Sequence, residues 1–281
     1  MARVVYERDG DRFVGTELAA GPWDPSAQHG GPASALLAHA MERCEPGWSE
    51  NNGQVMMARV TTEIVRPVPI GSLLDVRANV VHAGRRTHRL EAIMDVEGKQ
   101  VARASGLRVP LVAVDLPAEL DMVNYETRPP GPDAPWERPR WMTDGAQWAR
   151  PSGHGLDAWT NFTDVCDHRV VDGSWDDPGE CTVWINVQAD MVAGTGTTPL
   201  MRVLTTADGS AAIGRVLPFD EYTHPNADMN VHLSRYPAGD WVGIRCLMWP
   251  SNQGLAVGDG ELWDEKGRIG RTTQACIVTK R

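Results

Sequence analysis

The best-placed reactive group in this chain is the carboxylate of Asp208. It follows Thr198-Pro199, where a threonine can cap a helix and a proline can occupy the first turn without losing a hydrogen bond. Leu200, Val203, Leu204 and Ala207 then recur at helical spacing as an apolar stripe. Asp208 lies four residues after Leu204, so a continuing helix carries it on the buried stripe, where it can act as a general base. The competing reading ends the helix at Gly209 and leaves Asp208 as a solvated last-turn residue; spacing alone does not choose. Asp24 and His29, spaced D-x-x-x-x-H, could move a proton and a water across a double bond. A turn aspartate and a loop histidine account for them more simply. Gly194-Thr195-Gly196 lacks the lysine of a phosphate loop and reads as a turn, and GxSxG, HExxH and EF-hand patterns are absent. His168, His224 and His232 are scattered and read as packed or solvated, and Trp241, Trp249 and Trp263 as sheet packing. No metal and no cofactor is expected.

The elements that must position these groups are legible in the patterning. Val4–Tyr6 and Phe13–Leu18 read as strands around Asp9-Gly10-Asp11. Pro32 opens a helix over GPASALLAHAMERC, with Ala33, Leu36, Leu37, Ala40, Met41 and Cys44 on one face. Its first turn is rich in Gly and Ala, so another element can approach closely. Period-two runs follow around Val60–Ile64, Leu74–Val80, Leu90–Val96 and Val101–Val109, joined by short turns, which implies antiparallel pairing. One apolar helix followed by long antiparallel strands suggests a helix wrapped by a curved sheet.

Between Leu116 and Asp157 the pattern stops in a Pro-rich stretch holding Trp136, Trp141 and Trp148, expected to lie on a surface as a linker. After it the element order starts again. Strands are expected at Phe162–Val171 and Cys181–Asp190, then the helix at Pro199, then strands at Asp228–Arg235, Trp241–Trp249, Leu255–Trp263 and Ile269–Val278. The turns Val96-Glu97-Gly98 and Glu265-Lys266-Gly267 correspond, as do the breaks at Arg66 to Gly71 and Arg235 to Gly239. This is a two-copy repeat of a unit of about a hundred residues. The expected organisation is 1–112, a linker 113–158, and 159–281.

The totals exclude several classes. The chain has 281 residues, 42% of them hydrophobic, and a formal net charge of -10, which argues against binding nucleic acid or an anionic membrane surface. Its 5 cysteines are widely spaced with no CxxC, so neither a disulfide framework nor a zinc site is expected. The start, MARVVYERDGDRF, is too charged for a secretory leader, and apolar runs such as VPLVAV are too short to span a bilayer, so a cytoplasmic location is expected.

The stretch RPVPIGSLLDVRANVVHAGRRTHRLEAIMDVEGKQVARASG resembles the strands of hot-dog acyl-CoA thioesterases. NADMNVHLSRYPAGDWVGIRCLMWPSNQGLAVGDGELWDEKGRIGRTTQA resembles the second half of the acyl-CoA thioesterase II family. The match rests on the order and spacing of loose motifs and covers nearly everything except the linker. It implies an α+β tandem (double) hot-dog: two long helices, each wrapped by a curved antiparallel sheet, the sheets joined edge to edge. It also implies hydrolysis of an acyl-CoA to free acid and CoA, and further association of copies. The family's water-holding Asp, Thr or Ser, and Gln fall on Asp208, Asn226 and Gln274; Asn226 is a departure, because it lacks a hydroxyl.

Such chemistry needs a water, a base and donors for the developing oxyanion, and no metal, because a thiolate leaves readily. Asp208 is the expected base, with Asn226 and Gln274 holding the water and polarising the carbonyl. The helix start at His29-Gly30-Gly31 is expected to contact substrate through its partial positive charge. Superposing the copies puts Met41 opposite Asp208, Met57 opposite Asn226, and Ser105 or Gly106 opposite Gln274. The first copy therefore lacks every polar member, and one site per chain is expected. Two rivals stay open: a hot-dog hydratase or dehydratase using Asp24 and His29, and a non-catalytic acyl-CoA binder.

Overall fold

The structure is a computed structural model that describes residues 3–45, 54–117, 128–138 and 159–281. The first half contributes β1 (Val4–Asp9), β2 (Arg12–Gly15), α1 (Gly30–Glu42), β3 (Val55–Ile64), β4 (Leu73–Ala83), β5 (His88–Val96) and β6 (Lys99–Pro110). The second contributes β7 (Cys166–Gly173), β8 (Cys181–Val187), β9 (Asp190–Val192), α2 (Pro199–Ala207), a short α3 (Ser210–Ile213), β10 (Tyr222–Thr223), β11 (Asp228–Leu233), β12 (Val242–Pro250), β13 (Leu255–Asp264), β14 (Gly267–Ile277) and β15 (Thr279–Lys280). Each half wraps a helix in antiparallel strands, the tandem α+β architecture expected.

Thirteen of these strands form one sheet in the order β7-β8-β12-β13-β14-β11-β3-β6-β5-β4-β2-β1-β9, and β10 and β15 pair separately. The seam between halves is the antiparallel pair β11 and β3, with Asp228 opposite Glu63 and His232 opposite Arg59. Two residues separate β8, near one end of the order, from β9, at the other, where β9 pairs in parallel with β1. The sheet therefore curls almost into a ring, and α1 and α2 pack together inside it. Leu200, Val203, Leu204 and Ala207 are fully buried, as the stripe required. Burial of each larger aliphatic among them favours the fold by roughly 1.5–3 kcal/mol before entropy is counted.

Several boundaries differ from expectation for local reasons. The strand expected to reach Leu18 stops at Gly15, because Thr16 caps a 3-10 turn over Glu17–Ala19. The strand expected from Phe162 begins at Cys166, because Asn161 and Asp164 form a capping box over Phe162–Val165. A strand reaching Asp190 is instead two pieces, β8 and β9. Trp249 is exposed on the outer face rather than packed, whereas Trp263 is buried. Residues 128–138 lie along the edge strand β7, where Glu137 bridges Val170 and Arg169 covers the Trp136 ring. Trp141 and Trp148 fall outside the described residues.

The repeat extends to strand register. Met57 pairs with Arg108 while Arg59 pairs with Leu107, a one-residue slip. The second half slips equally between Asn226, bridged to Cys276, and Asn230, paired with Thr273. Counting back from Arg108 and Cys276 makes Gly106, not Ser105, the counterpart of Gln274. The paired breaks also match. Arg66 donates to the carbonyl of Gln100, just past the Glu97-Gly98 turn, and Arg235 forms an ion pair with buried Asp264 at the Glu265-Lys266 turn. Glu97 and Gly98 both have positive φ, at 50° and 73°, as a tight turn twisting with its strands requires.

Candidate active site

The helix α2 starts as its sequence dictates, with the Thr198 side chain accepting from the Met201 N–H and Pro199 in the first turn. It ends at Ala207. Asp208 keeps helical dihedrals, donates its N–H to the Leu204 carbonyl, and is 8% exposed. The helix thus stops near Gly209, yet the carboxylate is buried rather than solvated. The reason lies 177 residues upstream in the chain. Asp208 Oδ2 accepts from the Gly31 N–H at 2.7 Å, so the carboxylate at the end of α2 caps the beginning of α1. The negative end of α2 disfavours a carboxylate, and the positive end of α1 favours it.

This approach explains the glycines that open α1. A Cβ on Gly30 would sit 2.8 Å from Asp208 Oδ1, and one on Gly31 would sit 3.0 Å from the Thr205 Cα. A side chain at either position would separate the two helices where the acid enters. His29, the residue before the helix, places Nδ1 2.6 Å from Asp208 Oδ2. An ionised carboxylate can only accept, so Nδ1 carries the hydrogen there. The Gly31 N–H also lies 3.3 Å from that nitrogen, but its bond goes to the closer oxygen.

Asn226 enters from the chain leading into β11. Its Nδ2 donates to Asp208 Oδ1 at 2.8 Å. Gln274, on β14, is 2% exposed and its amide is engaged throughout. Its Nε2 donates to the carbonyls of Asp208 at 3.0 Å and Ala207 at 3.4 Å, and its Oε1 accepts from the Ser210 hydroxyl at 2.8 Å and the Ala211 N–H at 3.3 Å. It was expected to hold a water. In the structure it clamps the turn between α2 and α3, and so fixes the backbone of Asp208. Cys276, bridged to Asn226, remains a thiol: burial first, then the charges of Asp208 and Asp228, push its pKa up to about 12.

His29, Gly30, Asp208, Asn226 and Gln274 all line one cavity of about 880 Å³, whose walls are mainly apolar. Such a concave site with a few convergent polar groups is the usual form of a small-molecule site. Asp24 also lines the cavity but is exposed, and its Oδ1 accepts from the N–H and hydroxyl of Ser26 in a turn, while His29 Nδ1 meets Asp208. The His29–Asp208 pairing was not legible, because no local pattern links residues so far apart. His168 and His224, expected to be packed or solvated, are buried and line the same cavity, as does Arg215. No spacing rule marked Arg215.

Comparison with known proteins follows this geometry. The chain matches the family model described as the acyl-CoA thioesterase N-terminal domain over residues 19–109, and that described as the acyl-CoA thioesterase C-terminal domain over residues 119–278. A search of curated proteins finds no match. Among solved structures, the chain is similar to a hot-dog fold protein from Alicyclobacillus acidocaldarius, at 16% identity and a TM-score of 0.66, covering 98% of this chain and 95% of that one. It is similar to the TesB protein of Mycobacterium avium subs paratuberculosis, at 16% identity and TM-score 0.62, covering 98% and 96%. It is also similar to acyl-CoA thioesterase II TesB2 from Mycobacterium marinum, at 12% identity and TM-score 0.61, covering 98% and 94%. At these identities the structural likeness speaks to the fold.

Proposed function

The chain belongs to the acyl-CoA thioesterase family, and from that premise we propose that it hydrolyses acyl-CoA to free acid and CoA at one site per chain, with Asp208 as the base. The observation that carries this reading is a buried carboxylate inside a largely apolar cavity, held by donors from both halves of the molecule. Asp208 takes a proton from a water, whose oxygen attacks the thioester carbonyl. The tetrahedral oxyanion collapses, the carbon–sulfur bond breaks, and the thiolate leaves with the proton returned from Asp208.

Asn226 fits the place of a hydroxyl residue. Its Nδ2 holds Asp208, and its Oδ1 is an acceptor for the attacking water, so one amide covers the donor and acceptor roles of a threonine. Gly31 holds the carboxylate, and we assign the Gly30 N–H, at the open start of α1 on the cavity wall, to the carbonyl oxygen. His29 orients Asp208 through the 2.6 Å contact. Gln274 acts as a positioning residue through the backbone it clamps.

The test is thiol release from acyl-CoA by purified wild type and Asp208→Asn. Loss of turnover with acyl-CoA binding retained supports the assignment. Wild-type-like turnover in Asp208→Asn overturns Asp208 as the base. Ligand-dependent stabilisation without thiol release in the wild type would instead mark a binding protein.

A further inference from the structure

The cavity beside Asp208 is walled by rings. Trp23, Phe162, Trp175, Phe219 and the imidazoles of His168 and His224 all line it. Two of the chain's 3 phenylalanines are among them. No leucine and no methionine stands among the described residues that line it, although the chain has 11 methionines. Apart from the rings, its apolar wall is built mainly of isoleucine, valine, alanine, proline and glycine. β-Branched side chains are stiff and the small residues have no side chain to rearrange, so this wall cannot remodel around a flexible guest as methionines would.

The rings also hold one another in place. Trp23, from the first half, meets Phe219 edge-on at 5.5 Å and His224 edge-on at 5.1 Å, while Phe219 and His224 stack at 5.1 Å. His168 meets Trp175 edge-on at 5.1 Å. Burial above all lowers the pKa of His168 to about 3 and that of His224 to about 4, so both are uncharged rings near pH 7. Phe162 lies 5.7 Å from the His29 ring, which touches one oxygen of Asp208, and His224 stands two residues before Asn226, which holds the other. Rings thus accompany both side chains that hold the base. The charged nucleotide of CoA must stay in solvent, and Val65, Arg66 and Pro67 are exposed where they line the cavity. Phe162 and Trp175 are buried, so the ring-lined part receives the acyl group.

We propose that this cavity selects acyl groups carrying an aromatic ring over straight-chain acyl groups of equal carbon number, with Trp23 and Phe219 among the side chains that recognise the ring. The proposal deepens the thioesterase reading and rests on it for the placement of the thioester at Asp208. An aromatic guest offers a face and an edge to ring walls, and each well-placed ring pair favours binding beyond the area it buries. A stiff acyl group also loses less freedom in a preformed cavity than an alkyl chain, which must freeze a rotamer at every carbon. A saturated ring shares most of the stiffness and has no π face, so it separates shape from ring–ring contact. Trp23 and Phe219 are only half-buried, which leaves part of each ring open to a guest.

The experiment measures thiol release from phenylacetyl-, cyclohexylacetyl- and octanoyl-CoA, which have equal numbers of acyl carbons, by wild type, Trp23→Leu and Phe219→Leu. The wild type is expected to favour phenylacetyl-CoA over octanoyl-CoA by about tenfold in kcat/KM, with cyclohexylacetyl-CoA between them. Each variant should cut that ratio by about 2–10-fold, lowering the rate on the aromatic ester more than on the straight chain. The thioethers S-(2-phenylethyl)-CoA and S-octyl-CoA cannot be hydrolysed, and their effect on the melting temperature reads the same preference without turnover. Tighter binding of the phenylethyl thioether with no thiol release from any ester keeps the ring subsite and removes the hydrolytic reading. Thiol release with octanoyl-CoA equal to or better than phenylacetyl-CoA overturns the proposal. So does a cyclohexylacetyl ester that matches the phenylacetyl one, or a ratio unchanged in both variants. If a variant fails to fold, the wild-type preference and the thioether pair decide it.

Discussion

The two halves bring three corresponding positions together and fill them with opposite chemistry. In the first, a Cβ on Gly106 would lie 2.2 Å from the Met57 Cε and 3.0 Å from the Met41 Sδ, so two methionines fill the space over a glycine. In the second, Asp208, Asn226 and Gln274 occupy the equivalent places and a cavity opens beside them. The facing helix starts differ to match. Gly31 presents its N–H and no side chain to Asp208, whereas its counterpart Thr198 turns its N–H to the Met201 Sδ and uses its side chain to cap its own helix. A carboxylate survives burial only where donors await it, and only one of the two starts provides them.

The sharpest way to break this contrast is to neutralise the acid and keep its shape. Asp208→Asn should lower kcat by roughly 10²–10⁴-fold, the range for removal of a general base. It should leave thermal stability within about 1 kcal/mol of wild type, because asparagine caps a helix about as well as aspartate. A thiol-release assay paired with a melting curve reads both. Low activity accompanied by collapse of the fold would show that the acid is chiefly a cap.

Next in size is the reciprocal change. Met41→Asp puts a carboxylate into the apolar counterpart, where Met41 is fully buried and the Thr198 N–H is already turned to the Met201 Sδ. Destabilisation of about 3–5 kcal/mol is expected from an unpaired buried charge, read by denaturant unfolding. No second activity should appear in the Asp208→Asn, Met41→Asp double variant. Tolerance of the aspartate would mean that the two halves are more alike than their side chains indicate.

Gly31→Ala tests the close approach itself. The added methyl would lie 3.0 Å from the Thr205 Cα on the facing helix and 3.2 Å from the Cβ of Asp208 at its end. Pushing α2 away should destabilise the protein by about 1–3 kcal/mol. It should also lower kcat by ~10–100-fold, because a small misplacement of the base is enough. Gly106→Ala in the first half meets only flexible methionine ends and should change kcat by much less. Equal loss of rate in the two variants would remove the asymmetry.

These expectations show which parts of the molecule were local enough to read. The stripe on α2 and the alternation in β4 to β6 and β12 to β14 depend on residues within one element, so their pattern is in the sequence itself. The burial of Asp208 is not, since it is settled by Gly31 and Asn226 on other elements. Hydrophobicity alone reads Leu18 and Phe162 as strand, but the caps at Thr16 and Asn161 fold both segments into 3-10 turns. The equivalence of Gly106 and Gln274 needed the register. Arg215 and His224 had no signal, because Phe219 and Trp23 reach them only through the fold.

The smallest effect concerns the one acid that the first half keeps beside its methionines. Glu42, next to Met41, accepts from the Tyr236 hydroxyl at 3.2 Å and the Thr198 hydroxyl at 3.3 Å. Burial raises its pKa, and these two hydrogen bonds offset only part of the rise. A carboxyl whose folded pKa exceeds its unfolded value favours the fold when protonated. That contribution is complete below the unfolded pKa and is lost as pH rises through the folded one. Glu42→Gln should therefore melt about 1–3 °C higher than wild type near pH 7 and no higher below pH ~4. If Glu42→Gln melts lower at pH 7, the charged form is the stabilising one, and the first half holds its carboxylate as firmly as the second.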